Sequence, residues 1–170
     1  TIPVQAAVSH LQAAKVAIIP TDTVYGIGAL ASDAHAVAQV LAAKGRGRQM
    51  PPPVLVSDIS QLDGVVANIP TPARALMEAY WPGALTLIRP AHPDLSGDLG
   101  ETGGTIGVRM PNQAALLRLR HDFGPMAVTS ANLTGQPPAT SVEQAVGYFG
   151  TRVSAYLDGG STQGATASSI

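Results

Sequence analysis

A short apolar run at residues 16–19 is cut by Pro20, and this break constrains the fold more than any other feature of the chain. Proline has no N–H to give a sheet ladder, so strand pairing must stop there. Thr21, Asp22 and Thr23 follow at once, with Gly26 and Gly28 close behind. Three small oxygen-bearing side chains at a strand end, beside backbone that glycine leaves free, suit a polar small molecule. They also suit a plain strand-end turn in which Asp and Thr bond their own backbone. From this stretch alone both readings stand.

The rest of the chain must supply a sheet around it. Ala7, Val8, Leu11 and Ala14 share one face of a helix expected over residues 4–16, and residues 17–19 form a strand. Ser32 reads as the N-cap of a helix over residues 33–43, with Val37, Val40 and Leu41 inward and Gly45 as its stop. A basic loop broken by glycine and proline leads into a strand at 54–56 and a short helix at 60–67. Thr71-Pro72 starts a further helix, a cap followed by proline in the first turn, which runs to Tyr80. Strands are expected at 84–88, 105–109, 126–128, 154–157 and 165–170. Asn112 caps a helix through Asp122, with Ala115, Leu116, Leu119 and Phe123 apolar, and residues 141–149 form the last helix. Alternating strands and helices predict one α/β domain over residues 1–170. The turn-rich 84–109 region is hairpin-like and makes the sheet mixed. The chain starts at Thr1 and stops inside the last expected strand, so both ends are expected to be trimmed relative to the native protein.

Composition narrows the chemistry. Apolar residues make up 45% and charged residues 12%, which excludes a disordered chain. A net charge of −1 argues against a broad electrostatic grip on nucleic acid but leaves room for a local basic pocket. Without cysteine there is no disulfide, thiolate metal site or Cys nucleophile, which fits a cytoplasmic setting. No apolar run reaches the roughly 18 residues of a membrane span. Gly26-x-Gly28-x-x-Ala31 resembles a dinucleotide fingerprint, but it lacks the preceding strand contact and the acid about 20 residues on. There is no P-loop and no G-x-S-x-G elbow. His10, His35, His92 and His121 lack metal-site spacing, and no metal ligands are assigned. Asp94, Asp98 and Glu101 read as solvated loop acids. Any catalysis must then rest on positioning and charge stabilisation.

Three distant segments carry suitable groups. Lys44 and Arg46, followed by Arg48, combine cations with glycines in a loop able to wrap an anion, or simply to meet a helix C-terminus. Arg109 ends an apolar strand, where an isolated charge must find either a structural Asp or a substrate carboxylate. Thr129, Ser130 and Asn132 leave another strand end as either ligand groups or a turn. Polar groups at several strand ends of an α/β sheet together suggest a ligand crevice.

Six motifs in order then resemble the YrdC-like family of threonylcarbamoyl-AMP synthases. They are Pro20-Thr-Asp-Thr-Val-Tyr-Gly-Ile-Gly, Ala43-Lys-Gly-Arg, Pro53-Val-Leu-Val, Trp81-Pro-Gly-Ala-Leu-Thr-Leu, Thr105-Ile-Gly-Val-Arg-Met-Pro and Thr129-Ser-Ala-Asn-Leu-Thr-Gly. The resemblance implies a twisted open mixed sheet flanked by helices, with a concave, positively charged cavity. It also implies an activity: L-threonine, bicarbonate and ATP, with Mg²⁺, would give L-threonylcarbamoyladenylate and pyrophosphate. Separate transfer proteins would use the product to modify tRNA. By motif, Thr23, Leu55, Arg109, Val128 and Ser168 would bind threonine, Arg109 by a two-pronged grip on its carboxylate. Lys44, Arg46, Met50, Thr105, Ser130, Asn132 and Pro138 would meet ATP, with Lys44 and Arg46 carrying the catalytic charge. The chain departs from the family pattern at Gly47 (usually Pro), Met50 (often polar), Leu55 (often His) and Pro138 (often Ser), and it ends before a late Leu-Arg-x-Gly segment. Rival expectations are a carbamoyl-adenylate-forming module, a double-stranded RNA or tRNA-binding module, and an inactive paralogue.

Overall fold

The computed structural model describes residues 4–13, 15–95, 98–118, 124–164 and 166–170. Among them seven strands pair into one sheet. These are β1 (Ala17–Ile19), β2 (Gly26–Leu30), β3 (Val54–Leu55), β4 (Leu87–Pro90), β5 (Thr105–Arg109), β6 (Met126–Ser130) and β7 (Ala155–Tyr156). Their order across the sheet is β4-β5-β3-β6-β2-β1-β7. β3 with β5 and β1 with β7 run parallel, and every other neighbouring pair is antiparallel, so the sheet is mixed as expected. The helices are α1 (Val4–Gln12), α2 (Ala34–Lys44), α3 (Thr71–Tyr80), α4 (Ala114–Arg118) and α5 (Val142–Phe149).

β1, β2 and β6 are buried along nearly their whole length, which is why they read as apolar runs rather than as alternating patterns. Successive residues nonetheless divide between faces. Ile18 joins Ile27, Val40 and Phe149 on one side, whereas Ile19 joins Leu55, Met126 and Val128 on the other. A further cluster gathers Val54, Leu62, Met77, Trp81, Ile106 and Val108 beneath α3.

The largest departure from expectation is β2. Gly-Ile-Gly-Ala-Leu is a poor strand by propensity, yet its two glycines are what let β2 lie against β6. A Cβ at Gly26 would stand 2.5 Å from Val128 Cγ1, and one at Gly28 2.6 Å from Val128 Cγ2 and 2.9 Å from the Ala127 carbonyl oxygen. The expected strand at 84–88 moves to Leu87–Pro90, and of the one at 165–170, whose first residue lies outside the described residues, a single bridge between Ser169 and Leu85 is formed. The N-cap of α2 is Asp33 rather than Ser32, its Oδ1 accepting from the Ala36 N–H at 2.8 Å. The expected helix at 60–67 is a 3₁₀ turn over Ile59–Gly64. Pro70, not Thr71, holds the cap position of α3, with Thr71 already helical. α4 begins at Ala114, where Gln113 Oε1 accepts from the Ala115 N–H. Its expected course to Asp122, with Leu119 and Phe123, passes at residue 119 outside the described residues, as does Ala14 of the first helix.

Candidate functional site

Terminal residues of four strands meet around a cavity of about 140 Å³: Gly26 opens β2, Leu55 ends β3, Arg109 ends β5 and Ser130 ends β6. The turn broken open by Pro20 brings Thr21 and Thr23 to the same wall, and the C-terminal segment adds Ser168. All five residues expected at the threonine side (Thr23, Leu55, Arg109, Val128 and Ser168) line this one cavity, together with Ser130. The hydroxyl of Thr86 was not anticipated, whereas Thr129 belongs to the strand-end group expected as ligand groups or a turn. Thr86 accompanies Ser168, the two Oγ atoms lying 2.9 Å apart, and it sits in the quoted Trp81 motif without any charge to mark it.

Arg109 is 4% exposed and finds the structural partner anticipated for it. Its Nη1 donates to Asp22 Oδ1 at 2.7 Å and to the Gly83 carbonyl at 3.1 Å, and its Nη2 donates to Thr23 Oγ1 at 3.3 Å. Guanidinium carries five N–H donors, and these contacts use three. The turn itself is braced by Thr21 Oγ1, which donates to the Val24 carbonyl. Both readings of residues 18–28 therefore hold: the turn bonds its own backbone, and it walls a cavity.

Lys44 presents the opposite electrostatic case. It closes α2, is 1% exposed, and gives its ammonium to Asn132 Oδ1 at 3.0 Å, to Ser130 Oγ at 3.4 Å and to the Ser130 carbonyl. No carboxylate pairs with it among the described residues. Burial therefore pushes its pKa down to about 8, and the neighbouring Arg46 charge pushes the same way. Arg46 reaches Thr129 Oγ1 only at 3.4 Å, and its buried Nε has no partner among the described residues. Two adjacent cations without counter-ions next to a polar cavity make a place for an anion.

The remaining expected residues separate. Asn132 is buried in the Lys44 network and also accepts from Ser130 Oγ at 2.6 Å. Thr105 lies in an adjoining cleft of about 240 Å³, which shares Pro53, Thr86 and Ser168 with the cavity. Met50 is 45% exposed, and neither it nor Pro138 lines the cavity or this cleft. No group of three His, Cys, Asp or Glu side chains able to hold a metal ion occurs among the described residues. No helix among them is long and apolar enough to cross a membrane.

Fold and site thus define a class: an α/β domain with a small hydroxyl-lined cavity at strand termini, flanked by one ion-paired arginine and by two cations that meet no carboxylate among the described residues. Comparison with known proteins narrows the class. The Sua5/YciO/YrdC family model, described as telomere recombination, matches residues 9–170, and the chain belongs to that family. A Mycobacterium tuberculosis relative is 46% identical over 164 residues, covering 96% of this chain and 76% of its own length. A Bacillus subtilis protein named threonylcarbamoyl-AMP synthase is 40% identical over 158 residues, 92% of this chain and 46% of its own. The crystal structure of Pyrococcus abyssi Sua5 complexed with L-threonine superposes with a TM-score of 0.88 at 34% identity, covering 94% of this chain and 47% of that one. This chain therefore spans about half the length of the Bacillus and Pyrococcus proteins. These names favour neither a carbamoyl-adenylate module nor an inert RNA-binding module.

Proposed function

We infer that this chain is a threonylcarbamoyl-AMP synthase, making L-threonylcarbamoyladenylate and pyrophosphate from L-threonine, bicarbonate and ATP for tRNA modification. The observation that carries this reading is the pairing of a cavity too small for a nucleotide with two cations left without carboxylates. At about 140 Å³ the cavity falls below the roughly 300–1,000 Å³ of drug-sized pockets, so it suits an amino acid. Arg109 provides for the carboxylate, and Thr23, Thr86 and Ser168 for the hydroxyl and amine. The nucleotide then extends along the open cleft at Thr105; Lys44 and Arg46 line neither that cleft nor the cavity and adjoin the cavity wall through Ser130 and Thr129.

The threonine amine bonds to the bicarbonate carbon with loss of water, giving an N-carboxylate. One of its oxygens attacks the α-phosphorus, the bond to the β-phosphate oxygen breaks, and pyrophosphate leaves. Two anions must approach each other, so Lys44 and Arg46 lower the barrier by holding charge that develops on the phosphates. No protein nucleophile is needed. Mg²⁺ enters as part of the MgATP substrate, since magnesium is commonly held through phosphates and water and no acidic residue lines the cavity. The adenylate goes on to separate transfer proteins acting on tRNA, which puts the reaction in the cytoplasm.

The test is to incubate the protein with MgATP, bicarbonate and each amino acid in turn and to measure pyrophosphate. Release stimulated by threonine, with a threonylcarbamoyl-AMP product, is expected. Release indifferent to the amino acid, or absent, would overturn the reading.

A further inference from the structure

A second and larger hollow, of about 500 Å³, lies beyond the Pro20 turn and is walled by Asp22, Gly83, Asn112, Gln113 and the 159–163 loop. Thr21 lines both hollows, whereas Asp22 lines only the outer one and Arg109 only the inner. The ion pair between them therefore runs through the wall that separates the two spaces. Its side chains are 14% and 5% exposed, so it is a desolvated pair rather than a surface contact.

We propose that Asp22 is the positioning residue for the amino-acid carboxylate, acting on it only through Arg109. The role rests on the synthase reading above and adds a residue to it. Both Nη1 hydrogens of Arg109 are taken, one by Asp22 and one by the Gly83 carbonyl. A two-pronged grip on a carboxylate must then use the Nε–Nη2 edge, since Thr23 takes one of the two Nη2 hydrogens and leaves the other. Gly83 is itself fixed by its N–H bond to the Met110 carbonyl at 2.8 Å, one residue beyond Arg109. Asp22 and Gly83 thus fix the rotation of the guanidinium plane before any substrate arrives. Because Asp22 does not line the inner cavity, it sets geometry without meeting the substrate.

The experiment measures dissociation constants of the full chain for L-threonine, for L-threoninol (which lacks the carboxylate) and for MgATP. Asp22→Ala should weaken threonine at least tenfold while threoninol and MgATP stay within twofold. Asp22→Asn keeps the acceptor and loses the charge, so it should fall between Asp22→Ala and the unaltered protein, and it serves alone if Asp22→Ala does not fold. Unchanged threonine affinity in a folded variant would overturn the role, as would an equal loss for all three ligands, which is the mark of general damage. Failure of the unaltered protein to bind threonine would instead overturn the synthase reading, and this role with it.

Discussion

Burying a lysine without a carboxylate costs stability, and at Lys44 the cost has a sign that can be measured. Its pKa of about 8 in the folded chain lies below the ordinary 10.5. Between those values the unfolded chain binds a proton that the folded chain does not, so this residue's contribution to stability rises with pH across that window. The penalty is complete below about pH 8 and fades as the pH rises toward the ordinary value. Denaturant unfolding of the unaltered protein and of Lys44→Met should show that slope in the first and not in the second. An anion beside Lys44 removes the reason for the shift. MgATP binding at pH 8–9 should therefore take up a fraction of a proton, read as a buffer-dependent calorimetric enthalpy that vanishes in Lys44→Met. Lys44→Ala and Arg46→Ala should each lower pyrophosphate turnover by about 10²-fold or more, the scale of losing a charge-stabilising donor. Wild-type turnover in both would remove them from the chemistry.

Elements show where sequence reasoning succeeds and where it stops. Strands β1 and β5 were legible because each is a short apolar run with a clear terminus, at Pro20 and at Pro111, whereas β6 runs on through Thr129 and Ser130, two residues past the expected 126–128. Arg109 and Thr23 were assigned to one site by the motif resemblance, since their strand-end positions by themselves suggested only a ligand crevice. β2 was not legible, because Gly26 and Gly28 signal a loop by propensity and only their approach to β6 makes them strand residues. Thr86 escaped for a related reason: a lone hydroxyl in a strand-like run carries no local mark, and its place in the wall depends on the bridge from Ser169 to Leu85. The β2–β6 contact makes its own prediction. Gly28→Ala puts a methyl 2.9 Å from a backbone oxygen, which cannot rotate away, so it should cost about 1–3 kcal/mol in denaturant unfolding. The same displacement moves Val128, and threonine affinity should fall with stability. Gly64→Ala, where nothing lies within 4 Å, is the control and should change neither.

At the scale of the whole molecule, the two anion stations belong to different parts of the chain and should be separable. Arg109 is fixed by the sheet and the Pro20 turn. Arg46 instead rides on the loop after α2, and that loop is tied down from outside. Arg48 makes two bonds to Asp98, at 2.7 and 2.8 Å, and its carbonyl accepts from the Glu101 N–H at 2.7 Å. The ion pair is half exposed, so it adds little to global stability and weakens with salt. Its consequence is local: it holds the cationic loop against the β4–β5 connection. Asp98→Ala should raise KM for MgATP several-fold, leave threonine affinity unchanged and leave the thermal midpoint where it was. Gly100→Ala should reproduce that pattern by another route. Gly100 has φ +102, and a Cβ there would lie 2.6 Å from the Arg48 carbonyl oxygen, so the loop must lift. Agreement of two chemically unrelated substitutions on a rise in KM for MgATP alone would show that the phosphate station is assembled by docking a loop. A matching loss of threonine affinity in both would show instead that the two stations move as one body.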